Sequence, residues 1–167
     1  MAKVHKGRFT ADMEDDFVVF MIGMRLNKPW RVRQWWPVLK AMPPMLRELS
    51  ENPSKGLLGS TGAYLHGPAF IQYWRSFEDL ERFARDPDDV HHPAWRRFNK
   101  VARASGAVGI WHETYRVQAG EYETIHVNVP EIGLPAATRR IPAHVRGHSA
   151  ARRIGKSDAD EVAVPVD

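Results

Sequence analysis

The chain of 167 residues contains no cysteine. That single absence removes disulfides, thiolate nucleophiles, cysteine zinc sites and thiolate-ligated haem, and it agrees with a reducing, cytoplasmic setting. Any metal would have to be held by histidines and carboxylates. Long apolar runs are also lacking. The longest, FVVFMIGM at 17–24, falls far short of the roughly 20 residues that span a bilayer. The opening MAKVHKGRFTADMEDD has no apolar core of a signal peptide, so a soluble protein without a membrane partner is expected. No glycine-rich phosphate loop follows a strand, no serine elbow is present, and the adjacent His91 and His92 have no partner at H-x-x-x-H or H-E-x-x-H spacing. Flavin, nucleotide and hydrolase chemistries are therefore without a motif.

Acidic residues are missing from one stretch. TRRIPAHVRGHSAARRIGK at 138–156 carries six Lys and Arg and no acid, and removing those six takes the formal charge from +4 to −2. The remainder is not a basic surface, and no nucleic-acid partner is expected.

What is present has the order of a small α+β domain. Residues 1–15 are polar and read as an N-terminal arm. DFVVFMIGMRL at 16–26 is apolar on both faces, as in a central strand. The following stretch to Gly56 is helical by the spacing of Trp35, Val38, Leu39, Met42, Met45, Leu46 and Leu49. Asn27 is its candidate N-cap, and breaks or kinks are expected at Pro37 and Pro43-Pro44. GLLGSTGAYLHGPAFIQYWRS at 56–76 reads as two strands turned at His66-Gly67-Pro68. SFED at 76–79 is a capping box opening a helix that Asp86-Pro87 closes. A further helix is expected from Pro93 to Ser105-Gly106, then a strand at 107–117.

This β-α-β-β-α-(α)-β order is the split βαβ, ferredoxin-like arrangement, a four-stranded antiparallel sheet with helices on one face. The other face would stay wet in a monomer, so a homodimer is expected. The domain is placed at 16–135, with EYETIHVNVPEIGLP at 121–135 as an edge strand or a partner-embracing segment, and 136–167 as a basic, flexible tail lacking apolar periodicity.

The segments DFVVFMIGMRLNKPW, YWRSFEDLERFARD, HPAWRRFN and GIWHETYRV resemble the dimeric α/β-barrel superfamily that includes antibiotic-biosynthesis-type monooxygenases. More closely, they are similar to a small monooxygenase-like branch of it with a member in a fungal terpenoid-polyketide pathway, over about residues 8–135. The resemblance implies a dimer whose two sheets close a barrel and a pocket between each sheet and its helices. It also implies one of two chemistries: cofactor-free oxidation of an apolar or aromatic small molecule by dioxygen, or haem held by a histidine. Asn27, Trp74 and His91 or His92 follow the order of pocket residues in the haem-binding relatives.

Each candidate has more than one reading. Asn27 either holds an anionic oxygen or caps the helix. Trp74 shares a strand face with Phe70 and Gln72, opposite Ile71 and Tyr73, and is either core or a stacking wall. His91 and His92 either cap the helix at Pro93, act as general base, or ligate haem iron, and at most one of two neighbours can face a cavity. His112 and Glu113 are polar groups on opposite faces of a strand that also bears Ile110, Trp111, Thr114 and Tyr115, so one of them faces a wet pocket or a paired interface. A neutral imidazole, with a usual pKa of about 6.5, could take a substrate proton and leave an electron-rich anion able to react with dioxygen. The expected site is therefore His92, His91 or His112 as base, with Asn27, and with Trp74, Tyr73, Tyr64, Trp95 and Glu113 shaping the pocket. No organic cofactor is expected in the first reading and haem in the second. A non-catalytic binding module is the remaining alternative.

Overall fold

The computed structural model describes residues 2–86 and 106–155. Its strands are β1 (His5–Asp12), β2 (Phe17–Leu26), β3 (Leu57–Tyr64), β4 (Pro68–Trp74), β5 (Val108–Val117), β6 (His126–Val129) and β7 (Arg139–Pro142). Among the described residues the two longer helices are α1 (Val32–Glu51) and α2 (Phe77–Arg85). The chain forms two compact units, Phe17–Arg116 and a second unit made from both ends, Met1–Asp16 with Val117–Asp167.

In the first unit the strands run in the order β3-β4-β2-β5, which is the ferredoxin-like order expected from the sequence. Register sets Val18 opposite Trp74, Phe20 opposite Gln72 and Ile22 opposite Phe70. Because side chains alternate across a strand, these residues share the face under the helices. Two apolar clusters form there. Val18, Leu49, Trp74 and Leu80 pack with Phe20, Leu57 and Phe83. Met24 and Val108 pack with Leu26, Trp35, Val38, Leu39 and Ile110. The opposite face carries Val19, Met21, Ile71 and Tyr73, and the Trp111 indole lies over Gly23 so closely that a Cβ there would come within 2.6 Å of it.

Helix α1 differs from the expectation at its start and its middle. It begins at Val32 rather than beside Asn27, and it continues through Pro37, Pro43 and Pro44 for 20 residues. Proline removes an N–H and crowds the preceding turn. Pro43 and Pro44 lie on the exposed side, where water can take the released carbonyls, while the opposite stripe of Val38, Leu39, Met42, Met45, Leu46 and Leu49 packs over the sheet. Tertiary burial of that stripe outweighs the local penalty.

The turn signal at His66-Gly67 and the cap signal at Ser76 are realised. His66 and Gly67 take positive φ at the β3–β4 turn, and a Cβ on Gly67 would lie 2.0 Å from the Met24 carbonyl oxygen, so only glycine fits. The Asp79 backbone N–H donates to Ser76 Oγ at 3.1 Å, opening α2. The buried Asp79 carboxylate is clamped by Arg75 and Arg82, each at 2.8 Å. The helix expected over 93–105 lies outside the described residues.

The second unit corrects the expected arm and tail. Residues 5–12 form β1, the centre of a three-stranded sheet in the order β6-β1-β7. Its strands pair Phe9 with His126 and Pro142, and Asp12 with Arg139. Polar side chains hold it together. Thr124 Oγ1 accepts from the Ala11 N–H at 2.9 Å and meets Thr10 Oγ1 at 3.0 Å. The Tyr122 hydroxyl accepts from the Met13 N–H at 2.6 Å, donates to the Met13 carbonyl at 3.0 Å, and is also met by Arg146. The basic run is engaged here: Arg139 pairs with Asp12, Arg140 with Glu131 at 3.0 Å, and Arg153 with Glu123 at 2.6 Å. A strand built on threonine, tyrosine and ion pairs leaves little apolar periodicity, which is why the sequence reads as loose.

Candidate functional site

A cavity of about 380 Å³ opens between the sheet and helices α1 and α2 of the first unit. Its floor is the middle of the sheet, with Phe20 and Ile22 from β2, Gln72 from β4, and Ile110, His112 and Thr114 from β5. Its walls come from the apolar stripe of α1 and from Phe77, Leu80, Phe83 and Ala84 of α2. The size is that of a small-molecule pocket, since such pockets run to roughly 300–1,000 Å³.

Among the described residues the polar groups of the lining are few and separately placed. Glu81 and Arg85 pair at 2.8 Å on the α2 side. His112 stands on β5 with its ring 5.6 Å from that of Phe20, tilted by 39°. Gln72 is 4% exposed, and its Oε1 accepts from the Trp74 Nε1–H at 3.0 Å. Trp74 itself is fully buried, lies against Phe83 at 5.5 Å between ring centroids, and does not line the cavity. It backs the site through Gln72.

Of the residues singled out in the sequence, the structure brings His112 into the cavity. The face assigned to it by alternation, shared with Ile110 and Thr114, is the one observed. Glu113 is on the other face, where its carboxylate accepts from the Tyr115 hydroxyl; that hydrogen bond, then the carboxylate's charge, holds the phenol above its usual pKa of 10.0. Tyr73 is likewise on the face away from the helices. Tyr64 is 79% exposed at the end of β3. Asn27 neither lines the cavity nor caps α1: its side-chain amide donates to the Gly106 carbonyl at 3.3 Å, while its backbone N–H donates to the Ala107 carbonyl at 3.0 Å. Its place past the end of β2 directs it to the chain entering β5 instead. His91, His92 and Trp95 lie outside the described residues.

Sequence reasoning passed over Gln72, Thr114, Glu81 and Arg85. Gln72 had a usable signal: a carboxamide between Phe70 and Trp74 on the inward face of a central strand needs a partner or a cavity. Among the described residues no group of three or more His, Asp or Glu is placed to hold a metal ion, and no helix is long and apolar enough to cross a membrane.

Comparison with known proteins adds a family. The family model described as Monooxygenase af470-like matches residues 17–134. The chain is 27% identical over 158 residues to Monooxygenase af470 of Aspergillus fumigatus, an alignment covering 77% of this chain and 53% of that protein. The chain thus spans about half the length of the curated relative it matches. Among solved structures it is similar to a dimeric protein of unknown function and ferredoxin-like fold from Bacteroides fragilis, with a TM-score of 0.43 and 12% identity over 59% of this chain and 94% of that one. It is also similar to a dimeric ferredoxin-like protein from an uncultured marine organism, with a TM-score of 0.40 and 13% identity over 62% of this chain and 96% of that one.

Proposed function

Because the chain belongs to the Monooxygenase af470-like family, we propose that it is a monooxygenase-like oxidoreductase that takes a bulky apolar or aromatic small molecule into the cavity between its sheet and helices. The observation that carries this reading is the cavity itself: apolar walls, a volume of about 380 Å³, and an imidazole, His112, on its lining.

In this proposal His112 is the general base. Removing a phenolic proton makes the ring electron-rich enough to transfer electrons to dioxygen without an organic cofactor. One oxygen atom enters the ring, the other leaves as water, and the phenol supplies the electrons as it becomes a quinone. Apolar walls around the substrate ring keep reactive oxygen intermediates from being diverted. The Phe20 ring beside His112 offers a surface on which a flat substrate can stack.

A second copy of the chain packing on the other face of the sheet, over Val19, Met21, Ile71, Tyr73 and Trp111, is part of the proposal, since such a surface is costly to leave in water. Light scattering at micromolar concentration should give a dimer mass.

The test of function is dioxygen consumption with a panel of phenols and polycyclic phenols, with isotope-labelled dioxygen to trace the oxygen into product. Wild type should incorporate one labelled atom, and His112→Phe should lose at least a hundredfold in rate, within the roughly 10²–10⁴ contributed by a general base. Full activity in His112→Phe would refute the assignment. An absorption band appearing on titration with haemin, with activity that depends on it, would replace the cofactor-free reading by the haem one.

A further inference from the structure

We propose that Gln72 is the group that reads the substrate's oxygen. Its carboxamide N–H donates into the cavity to the carbonyl oxygen of a para-acylphenol or similar conjugated hydroxy-ketone, and Trp74 is the positioning residue that aims it. This rests on the reading of the cavity as the substrate site and goes beyond it by naming the substrate's functional groups.

Gln72 is 4% exposed on a strand flanked on both sides by others. A buried carboxamide needs an acceptor for its nitrogen as well as a donor for its oxygen. The oxygen is satisfied by Trp74 Nε1–H at 3.0 Å. An indole nitrogen can only donate, so the two ends of the carboxamide are not interchangeable: the oxygen must face Trp74 and the nitrogen must face elsewhere. Among the described residues nothing accepts from that nitrogen, while Gln72 lines the cavity. Trp74 cannot swing away, being fully buried against Phe83 and packed with Val18, Leu49 and Leu80. The donor is thus fixed in direction before any ligand arrives.

Its distance from the base sets the rest. Gln72 pairs with Phe20 in the β4–β2 register, and the Phe20 ring is next to that of His112. Donor, ring and imidazole therefore form one row across three adjacent strands. With neighbouring strands about 4.8 Å apart, the Gln72 and His112 side chains are rooted roughly 10 Å from each other with Phe20 between. A ligand bridging them needs an acceptor oxygen at one end, an acidic hydroxyl at the other and a flat conjugated body over Phe20. Conjugation matters because proton loss at the hydroxyl end then places negative charge on the very oxygen that Gln72 holds. The donor is stronger toward that anion than toward the neutral ketone, so it favours ionisation.

Binding under anaerobic conditions separates this from the oxidation itself. Two probes differ only in the group between their rings: para-hydroxybenzophenone has a carbonyl, para-benzylphenol a methylene. By calorimetry the wild type should bind the ketone about tenfold tighter, the scale of one hydrogen bond to a buried donor. The absorbance of the bound ketone should show the phenolate at a pH where the free probe is still neutral. Gln72→Leu should bind both probes equally and should lose the phenolate signal. Trp74→Phe, which keeps a buried ring but removes the N–H, should show a reduced preference and a reduced phenolate signal. Equal binding of the probes by wild type, or a preference that survives Gln72→Leu, would overturn the role of Gln72 while leaving the cavity reading intact. If the wild type bound neither probe, the cavity reading and this inference would fall together.

Discussion

Replacing Arg153 by methionine should dismantle the sheet built from the two ends of the chain. The Arg153 side chain is 5% exposed, and its Nε and Nη2 both donate to Glu123 Oε1, at 2.8 and 2.6 Å. Its Nη1 donates to the carbonyls of His148 at 2.9 Å and Gly147 at 3.2 Å. Methionine fills similar space but leaves all three acceptors without these donors. Removing one partner of a fully buried pair costs about 3–5 kcal/mol. Glu123 retains 26% exposure, so water recovers part of that loss, while each stranded carbonyl adds up to about 1 kcal/mol. The sum is about 3 kcal/mol, or roughly a hundredfold faster amide exchange over β1, β6 and β7. Hydrogen exchange read by mass spectrometry on those segments measures it. All six tryptophans lie between 30 and 111, so their fluorescence checks that the other unit keeps its fold. Glu123→Gln should also destabilise, and the double variant should cost less than the two single losses added, because both remove the same contact. An exchange change below about threefold, or strict additivity, would refute the view that this pair holds the unit together.

Further outcomes are open to direct measurement. Gly23→Ala would set a Cβ 2.6 to 2.8 Å from Cζ2, Cε2 and Nε1 of Trp111, so a loss of about 1–3 kcal/mol is expected in urea unfolding followed by tryptophan fluorescence. Burial pushes the His126 pKa below 6.5 despite the nearby Glu123 anion. The unfolded chain then binds the proton more readily, and stability rises with pH up to about 6.5 and falls as pH drops toward the folded pKa. His126→Gln should flatten that part of the stability profile, and an unchanged slope would count against it. Glu113→Gln should lower the Tyr115 pKa toward its usual 10.0, visible as an earlier phenolate component in ultraviolet titration, because both the hydrogen bond and the charge that raise it are weakened.

The parts of the structure legible in the sequence are those governed by local chemistry. Ser76 with Asp79 marks the start of α2, His66-Gly67 marks the hairpin, and the alternation of Ile110, His112 and Thr114 puts them on the cavity side. The order of elements then gives the sheet. Illegible were features decided by distant partners. Asn27 matches a cap by residue type, yet its amide is taken by Gly106, 79 positions away. Three prolines argue for a broken helix, and only the packing of the apolar stripe keeps α1 whole. Strand β1 is invisible because its bonding partners, Tyr122, Thr124 and Asn128, come more than 100 residues later. Gln72 is an ordinary strand residue until Trp74 turns its nitrogen toward a cavity.

The placement of β1 between β6 and β7 also imposes a schedule on biosynthesis. The Gly7 N–H donates to Asn128 Oδ1 across 121 positions, and Arg139 meets Asp12 across 127. At roughly 5–20 residues per second on the ribosome, those partners reach β1 about 6–25 s after it is made. For that interval β1 is a strand with both edges bare, in the presence of many other nascent chains, and bare edges template unwanted pairing. Its charges and polar side chains, His5, Lys6, Arg8, Thr10 and Asp12, make it a poor adhesive while it waits. The weak apolar pattern that hides this strand from a reader of the sequence would, by the same chemistry, hide it from other chains.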